Sequence, residues 1–166
     1  MSGRAPKPLL VAVGLGSNIR PEVHLPQALA MLRARTSPIA LSQVWETPPA
    51  GGAQGPYFYN AVVLVRVPYS GRHLKQAVLR PIEAALGRER PAPPNAPRPI
   101  DLDVLVEGQQ VVDPDVWVYP HWAVPLAEVL PGMRHPETGE PLAAVAQRLA
   151  KTADLRRVAL PQWRLA

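Results

Sequence analysis

The order in which apolar runs change period constrains this chain most. Residues 9–15 form an unbroken apolar run that ends in Gly14-Leu15-Gly16-Ser17-Asn18, which reads as a buried strand. In residues 21–35, Leu25, Ala28, Leu29 and Leu32 repeat at i, i+3, i+4 and i+7, which predicts a helix with Pro26 in its first turn or two. Residues 39–45 read as a second strand closed by Glu46-Thr47-Pro48-Pro49, with a Gly/Pro-rich loop after it at 50–56. The valine-rich stretch 59–67 reads as a third strand. A second helix is predicted over 71–86, with Leu74, Ala77, Val78, Ile82, Ala85 and Leu86 inward and a kink at Pro81. A long basic loop, 87–99, leads into the apolar run around Asp101-Leu102-Asp103. Strand, helix, strand, strand, helix, strand is the order of a ferredoxin-like α+β fold, an antiparallel sheet with helices packed on it. Beyond it, Glu107-Gly108 reads as a turn, 110–112 as a return strand, 142–150 as a short helix and 158–163 as an added edge strand.

At 166 residues the chain is expected to form a single domain, 1–166, large enough for a hydrophobic core. No run of about eighteen apolar residues is present, so no membrane-spanning helix is expected. Cysteine is absent, which excludes disulfides and thiolate metal sites, and no signal peptide is visible, so a cytoplasmic protein is expected. The formal charge is +5 and Arg greatly outnumbers Lys, which suits an anionic ligand. The same charge would suit RNA. A ferredoxin-like sheet that binds RNA needs exposed aromatics to stack bases, however, and one Phe and four Tyr in no such pattern argue against nucleic acid. The 22 prolines punctuate the elements and form no low-complexity tract.

Asp101 and Asp103 carry the chemistry. Alternate residues of a strand share a face, so the two carboxylates point the same way with Cα atoms roughly 6–7 Å apart. Such a pair is often only a solvated face or a turn. Like charges side by side repel, though, and a bound divalent cation offsets that repulsion. Arg88, Arg90 and Arg98 lie just upstream. Carboxylates for a metal beside guanidiniums for anions are what phosphoryl chemistry on a nucleotide requires.

Six segments then line up in order. Gly16-Ser17-Asn18 comes after the first strand, Trp45-Glu46-Thr47-Pro48-Pro49 closes the second and Phe58-Tyr59-Asn60-Ala61-Val62 opens the third. Ile82-Glu83-Ala84-Ala85-Leu86-Gly87-Arg88 ends the second helix, Ala96-Pro97-Arg98-Pro99-Ile100-Asp101-Leu102-Asp103 is the acidic strand, and Pro120-His121 lies beyond it. In identity, order and spacing this resembles the 6-hydroxymethyl-7,8-dihydropterin pyrophosphokinases of folate biosynthesis, from about residue 11 to residue 131.

The resemblance implies transfer of the diphosphate of ATP to the hydroxymethyl group of 6-hydroxymethyl-7,8-dihydropterin, giving AMP and the pterin diphosphate. It implies two Mg²⁺ ions held by Asp101 and Asp103 and bridging the triphosphate, an arrangement that needs no dedicated side-chain base. Arg88 and Arg98 match the family's basic positions and are expected to neutralise phosphate in the transition state. Glu83 and His121 match its nucleotide side. Phe58 and Asn60 match the pterin side, with Thr47, Pro48 and Ala50 completing recognition of the ring edge. The partners implied are ATP and the pterin, with no nucleic acid and no membrane, in a monomer or small homo-oligomer.

Two departures stand out. Asn95 occupies a position where the family commonly has Trp. After His121 only Trp122-Ala123-Val124 precedes Pro125-Leu126, where family members usually have a longer stretch with an arginine and a second aromatic. Slower turnover or looser pterin binding is the expected consequence, with Trp122 the available replacement ring. A second reading is a catalytically weakened paralogue that still binds ATP and pterin.

Overall fold

The computed structural model describes residue 3 and residues 7–165. The sequence-predicted order is observed: β1 (Leu9–Ser17), α1 (Pro21–Arg35), β2 (Ser37–Leu41), β3 (Val44–Thr47) and β4 (Phe58–Val67) come first. Next are α2 (Gly71–Leu74), a π-helical turn (Lys75–Leu79) and α3 (Arg80–Ala85), with no break between them. The chain goes on through β5 (Asp101–Glu107), β6 (Gln110–Val111), a 3₁₀ turn (Pro114–Trp117), α4 (Pro120–Val129), α5 (Leu142–Ala150) and β7 (Arg156–Val158). The strands form one antiparallel sheet in the order β6-β5-β1-β4-β3-β7, with β2 also paired to β4. Its centre, β5-β1-β4 with β2 and β3 beyond, is the ferredoxin-like arrangement.

Alternation along the central strands divides the core. Val11, Val13 and Leu15 of β1 and Val63 and Val65 of β4 pack with Leu25, Leu29 and Leu32 of α1 and with Leu79 and Ile82. Ala12, Val62 and Leu64 face the other way, onto Trp122 and Leu126 of α4 and Val145 of α5. A bulge opposite Ala12/Val13 turns Leu105 and Val106 of β5 both toward that second layer. Asp101 and Asp103, in step with Leu105, lie on the α4 side of the sheet.

Three local expectations are corrected. The second strand is two strands, because the pairing with β4 slips by one residue between Leu41–Val63 and Trp45–Asn60. At the break the Val62 N–H donates to the Ser42 hydroxyl at 2.8 Å, and Trp163 Nε1 donates to the Ser42 carbonyl at 2.8 Å. The second helix does not simply kink at Pro81. Proline leaves the Ala77 carbonyl without its usual donor, the Lys75–Leu79 turn widens to a π turn, and Arg35 donates to that carbonyl at 3.1 Å. The extra residue in the turn rotates the remainder of the helix, so Leu79 and Glu83 are buried while Ala85, predicted inward, is exposed. The third difference is small: β4 begins at Phe58 and β1 runs on to Ser17. The short helix 142–150 matches its predicted bounds, and the C-terminal edge strand forms at Arg156–Val158, two residues earlier than predicted, paired with β3.

Candidate active site

The site forms where β1, β4 and β5 end together. Gly16 pairs with Asn60 on one side and Asp101 on the other, and Gly14 pairs with Val62 and Asp103. The absent side chains matter. A Cβ on Gly14 would lie 2.8 Å from the Trp122 ring, and one on Gly16 would lie 3.1 Å from Asn60 Oδ1. Glycine at both positions lets Trp122 and Asn60 close down over β1. Above them is a cavity of about 440 Å³.

The residues expected on the pterin side, Thr47, Pro48, Ala50, Phe58 and Asn60, all line it. Thr47 and Asn60 are each only 3% exposed, and Asn60 Nδ2 donates to Thr47 Oγ1 at 2.6 Å. That bond holds the amide in place and leaves its other polar atoms to meet a planar ring with an amide-like edge. Phe58, partly buried, supplies an aromatic face.

Arg98, Asp101, Asp103 and His121 line the same cavity. Arg98 Nη1 lies 2.8 Å from Asp101 Oδ2, and Arg90 Nη2 lies 3.8 Å from Asp101 Oδ1. Lys75 Nζ lies 3.1 Å from Asp103 Oδ1. Burial and the Asp101 charge push the Asp103 pKa up, and Lys75 opposes them. His121 stacks beside Tyr119 and Trp122, and burial lowers its pKa to about 4, so it is neutral at pH 7. Among the described residues no group of three or more His, Asp or Glu is gathered to hold an ion unaided. Two carboxylates fit Mg²⁺, which completes its shell with water and phosphate oxygens.

Two expected nucleotide residues lie elsewhere. Arg88 borders an adjoining hollow of about 310 Å³ that it shares with Arg90 and Arg98. Its Nε is buried without a hydrogen-bond partner among the described residues, and burial lowers its pKa. Glu83 is 1% exposed and sits behind β5, outside the cavity. There it accepts the Leu102 N–H at 3.0 Å and pairs with Arg90 at 3.3 Å. Burial pushes its pKa up, and the Leu102 N–H is the main opposing influence.

Sequence reasoning missed Lys75, Asn18, Asp113, Asp115 and Tyr119. The last four line the cavity. Asp113 caps the 3₁₀ turn by accepting the Asp115 N–H at 3.0 Å; an Asp before a Pro was the available signal.

The 7,8-dihydro-6-hydroxymethylpterin-pyrophosphokinase (HPPK) family profile matches residues 12–131, more than half of the chain. The chain belongs to this family. A 2-amino-4-hydroxy-6-hydroxymethyldihydropteridine pyrophosphokinase of Pseudomonas aeruginosa is 32% identical over 138 residues, covering 76% of this chain and 84% of the relative. The enzyme of that name from Helicobacter pylori is 30% identical over 115 residues, covering 67% of this chain and 70% of the relative. The HPPK-DHPS structure from Plasmodium falciparum superposes over 87% of this chain with a TM-score of 0.70 at 12% identity, a likeness of fold. This chain spans only 45% of the length of that protein. As an HPPK the chain is a diphosphotransferase of folate biosynthesis that uses ATP as co-substrate and binds the pterin, in a Mg²⁺-dependent family. The comparisons give the weakened-paralogue reading no support. No helix among the described residues is long and apolar enough to cross a membrane.

Proposed function

We propose that the cavity between Asn60 and Asp103 is where the diphosphate passes from ATP to the pterin. One observation carries this: the expected pterin residues and the Asp101/Asp103 pair line one cavity, on strands that flank β1 on either side. The pterin ring lies on Phe58 with its edge on Asn60, Thr47 and the Pro48–Ala50 backbone. The triphosphate lies across the Asp pair toward Arg98, Arg88 and Arg90.

Asp101 and Asp103 would hold two Mg²⁺ ions. When bound, these neutralise the triphosphate and lower the pKa of the attacking hydroxyl. The hydroxymethyl group loses its proton to water, its oxygen attacks the β-phosphorus, the bond from that phosphorus to the oxygen on the α-phosphorus breaks, and AMP leaves. Arg98 and Arg88 present planar forks to the phosphate oxygens as charge shifts onto AMP. Neutral His121 donates one N–H to a phosphate oxygen without adding charge. Glu83 acts from behind the strand: by holding Leu102 and Arg90 it fixes the strand between the two aspartates.

Residues 1–166 act as one domain, since β7 at the far end of the chain completes the sheet that β1 begins. A cytoplasmic monomer or small homo-oligomer completes the proposal, with no nucleic acid partner. The test is AMP release from ATP and Mg²⁺ with and without 6-hydroxymethyl-7,8-dihydropterin. Pterin-dependent AMP formation supports the reading. ATP and pterin binding without AMP would refute it and place the defect in the short segment after His121.

A further inference from the structure

We propose that Lys75 is a positioning residue for the metal carboxylates: it clamps the open edge of β5 and turns one oxygen of Asp103 into the cavity. The inference rests on the assignment of Asp101 and Asp103 to Mg²⁺.

The strand that carries both aspartates is poorly supported on its outer side. Among the described residues β6 pairs only with Val106 and Glu107, and none supplies a strand partner at the Leu102 edge. An unpaired peptide there would be free to twist, and the side chains flanking it would turn with it. The helical layer supplies the missing partners. Glu83 Oε2 accepts the Leu102 N–H at 3.0 Å, and Lys75 Nζ donates to the Leu102 carbonyl. Both backbone polar groups of the residue between the aspartates are therefore held by charged side chains from one helix.

Lys75 does a second thing that Glu83 cannot. The same ammonium donates to Asp103 Oδ1 at 3.1 Å. Among the described residues Asp103 Oδ2 makes no hydrogen bond, and Asp103 lines the cavity. One oxygen is pinned at the edge and the other is presented inward. Asp101 is paired separately, with Arg98 at 2.8 Å and Arg90 at 3.8 Å. Each carboxylate thus has protein cations of its own, which offset the repulsion between the two before any ligand arrives.

The reach depends on the π turn. Lys75 opens that turn, and the Arg80 N–H bonds back five residues to the Lys75 carbonyl. The widened turn lets Leu74 and Val78 stay in the core while Lys75 extends past the sheet edge and Glu83 stays buried. Lys75 is 26% exposed at its side chain, so replacing it empties no core cavity.

Lys75→Met keeps the stem and removes the ammonium, and Lys75→Arg keeps the charge. The measurements are Mn²⁺ affinity by electron paramagnetic resonance in the complex with α,β-methylene-ATP, and metal-free pterin affinity by calorimetry. Lys75→Met is expected to weaken Mn²⁺ binding about tenfold while pterin affinity stays within about twofold, and Lys75→Arg to recover most of the loss. Unchanged Mn²⁺ affinity in Lys75→Met overturns the inference. Tighter affinity also overturns it, by showing that Lys75 competes with the metal. An equal loss of pterin affinity would reduce Lys75 to a general strut and overturns it too. Should the Met variant not fold, Lys75→Gln is read by the same criteria. Asp103→Asn is measured alongside: if it leaves Mn²⁺ binding intact, the metal assignment itself fails, whereas its loss beside an unaffected Lys75→Met refutes only the role of Lys75.

Discussion

Asn18 and Arg98 are bonded in both directions: the Asn18 N–H donates to the Arg98 carbonyl at 3.1 Å, and the Arg98 N–H donates to Asn18 Oδ1 at 2.6 Å. Asn18 Nδ2 also reaches the Pro56 carbonyl at 3.4 Å. One side chain after β1 therefore ties the loop that delivers Arg98 to the loop that leads into Phe58. Asn18→Leu leaves the Arg98 N–H without its acceptor and is expected to cost about 1–3 kcal/mol. Asn18→Asp keeps the acceptor and should fall between wild type and Leu. Thermal melting checks the order, and a Leu variant as stable as wild type would refute it.

Asp101→Asn and Asp103→Asn each keep side-chain volume and remove the negative charge of a proposed metal ligand. Turnover is expected to drop by about two orders of magnitude or more, the scale of several kcal/mol of transition-state stabilisation. Pterin binding without metal should persist, because Asn60 and Thr47 are held by each other. AMP release and calorimetry separate the two effects, and near-normal turnover in either variant would remove that residue from the mechanism.

Gly14→Ala places a methyl 2.8 Å from the Trp122 ring. The ring is 7% exposed and packed in the second core layer, so it has little room to yield. A stability loss of about 1–3 kcal/mol is expected from overpacking, together with weaker pterin binding as the cavity floor shifts. Denaturant melts and pterin titration measure both.

His121 gives the folded state an acid limit. Burial lowers its pKa from 6.5 to about 4, whereas the unfolded chain takes up the proton near the ordinary value. Between about pH 6.5 and 4 the unfolded state binds more protons, so stability falls as pH drops through that window. His121→Gln should flatten this slope. The difference is expected to reach about 2 kcal/mol, allowing for partial exposure of the ring. Asp103, whose pKa is raised, contributes in the opposite sense and is common to both proteins. Melting midpoints from pH 7 to 4.5 make the comparison, and parallel curves would refute it.

The strand and helix order was legible in the sequence because each element keeps its period over several residues. The Asp101/Asp103 face was legible too, since a period of two needs only one strand. The break at Ser42 was hidden: a bulge leaves the apolar pattern of 39–45 intact and shows only in the pairing register. The place of Glu83 behind β5 was hidden, because it depends on a helix rotation that the 3.6 period does not contain. Lys75 was invisible for the same reason. Arg88 and Arg98 stand at opposite ends of the basic loop in sequence yet share one hollow, because that proline-rich loop folds back on itself.

The π turn also makes the spacing of this helix as consequential as its composition. Ordinary α-helical winding of the same residues would turn everything beyond this turn by about 100°. Glu83 would swing away from the strand and Leu79 away from the core, with both side chains still present. Deleting exposed Gln76 leaves the Arg80 N–H four residues from the Lys75 carbonyl with Glu83 still on the strand, so it is predicted to be tolerated, whereas deleting a residue within 80–82 is predicted to turn Glu83 away. A deletion scan along this chain would therefore read out winding rather than chemistry.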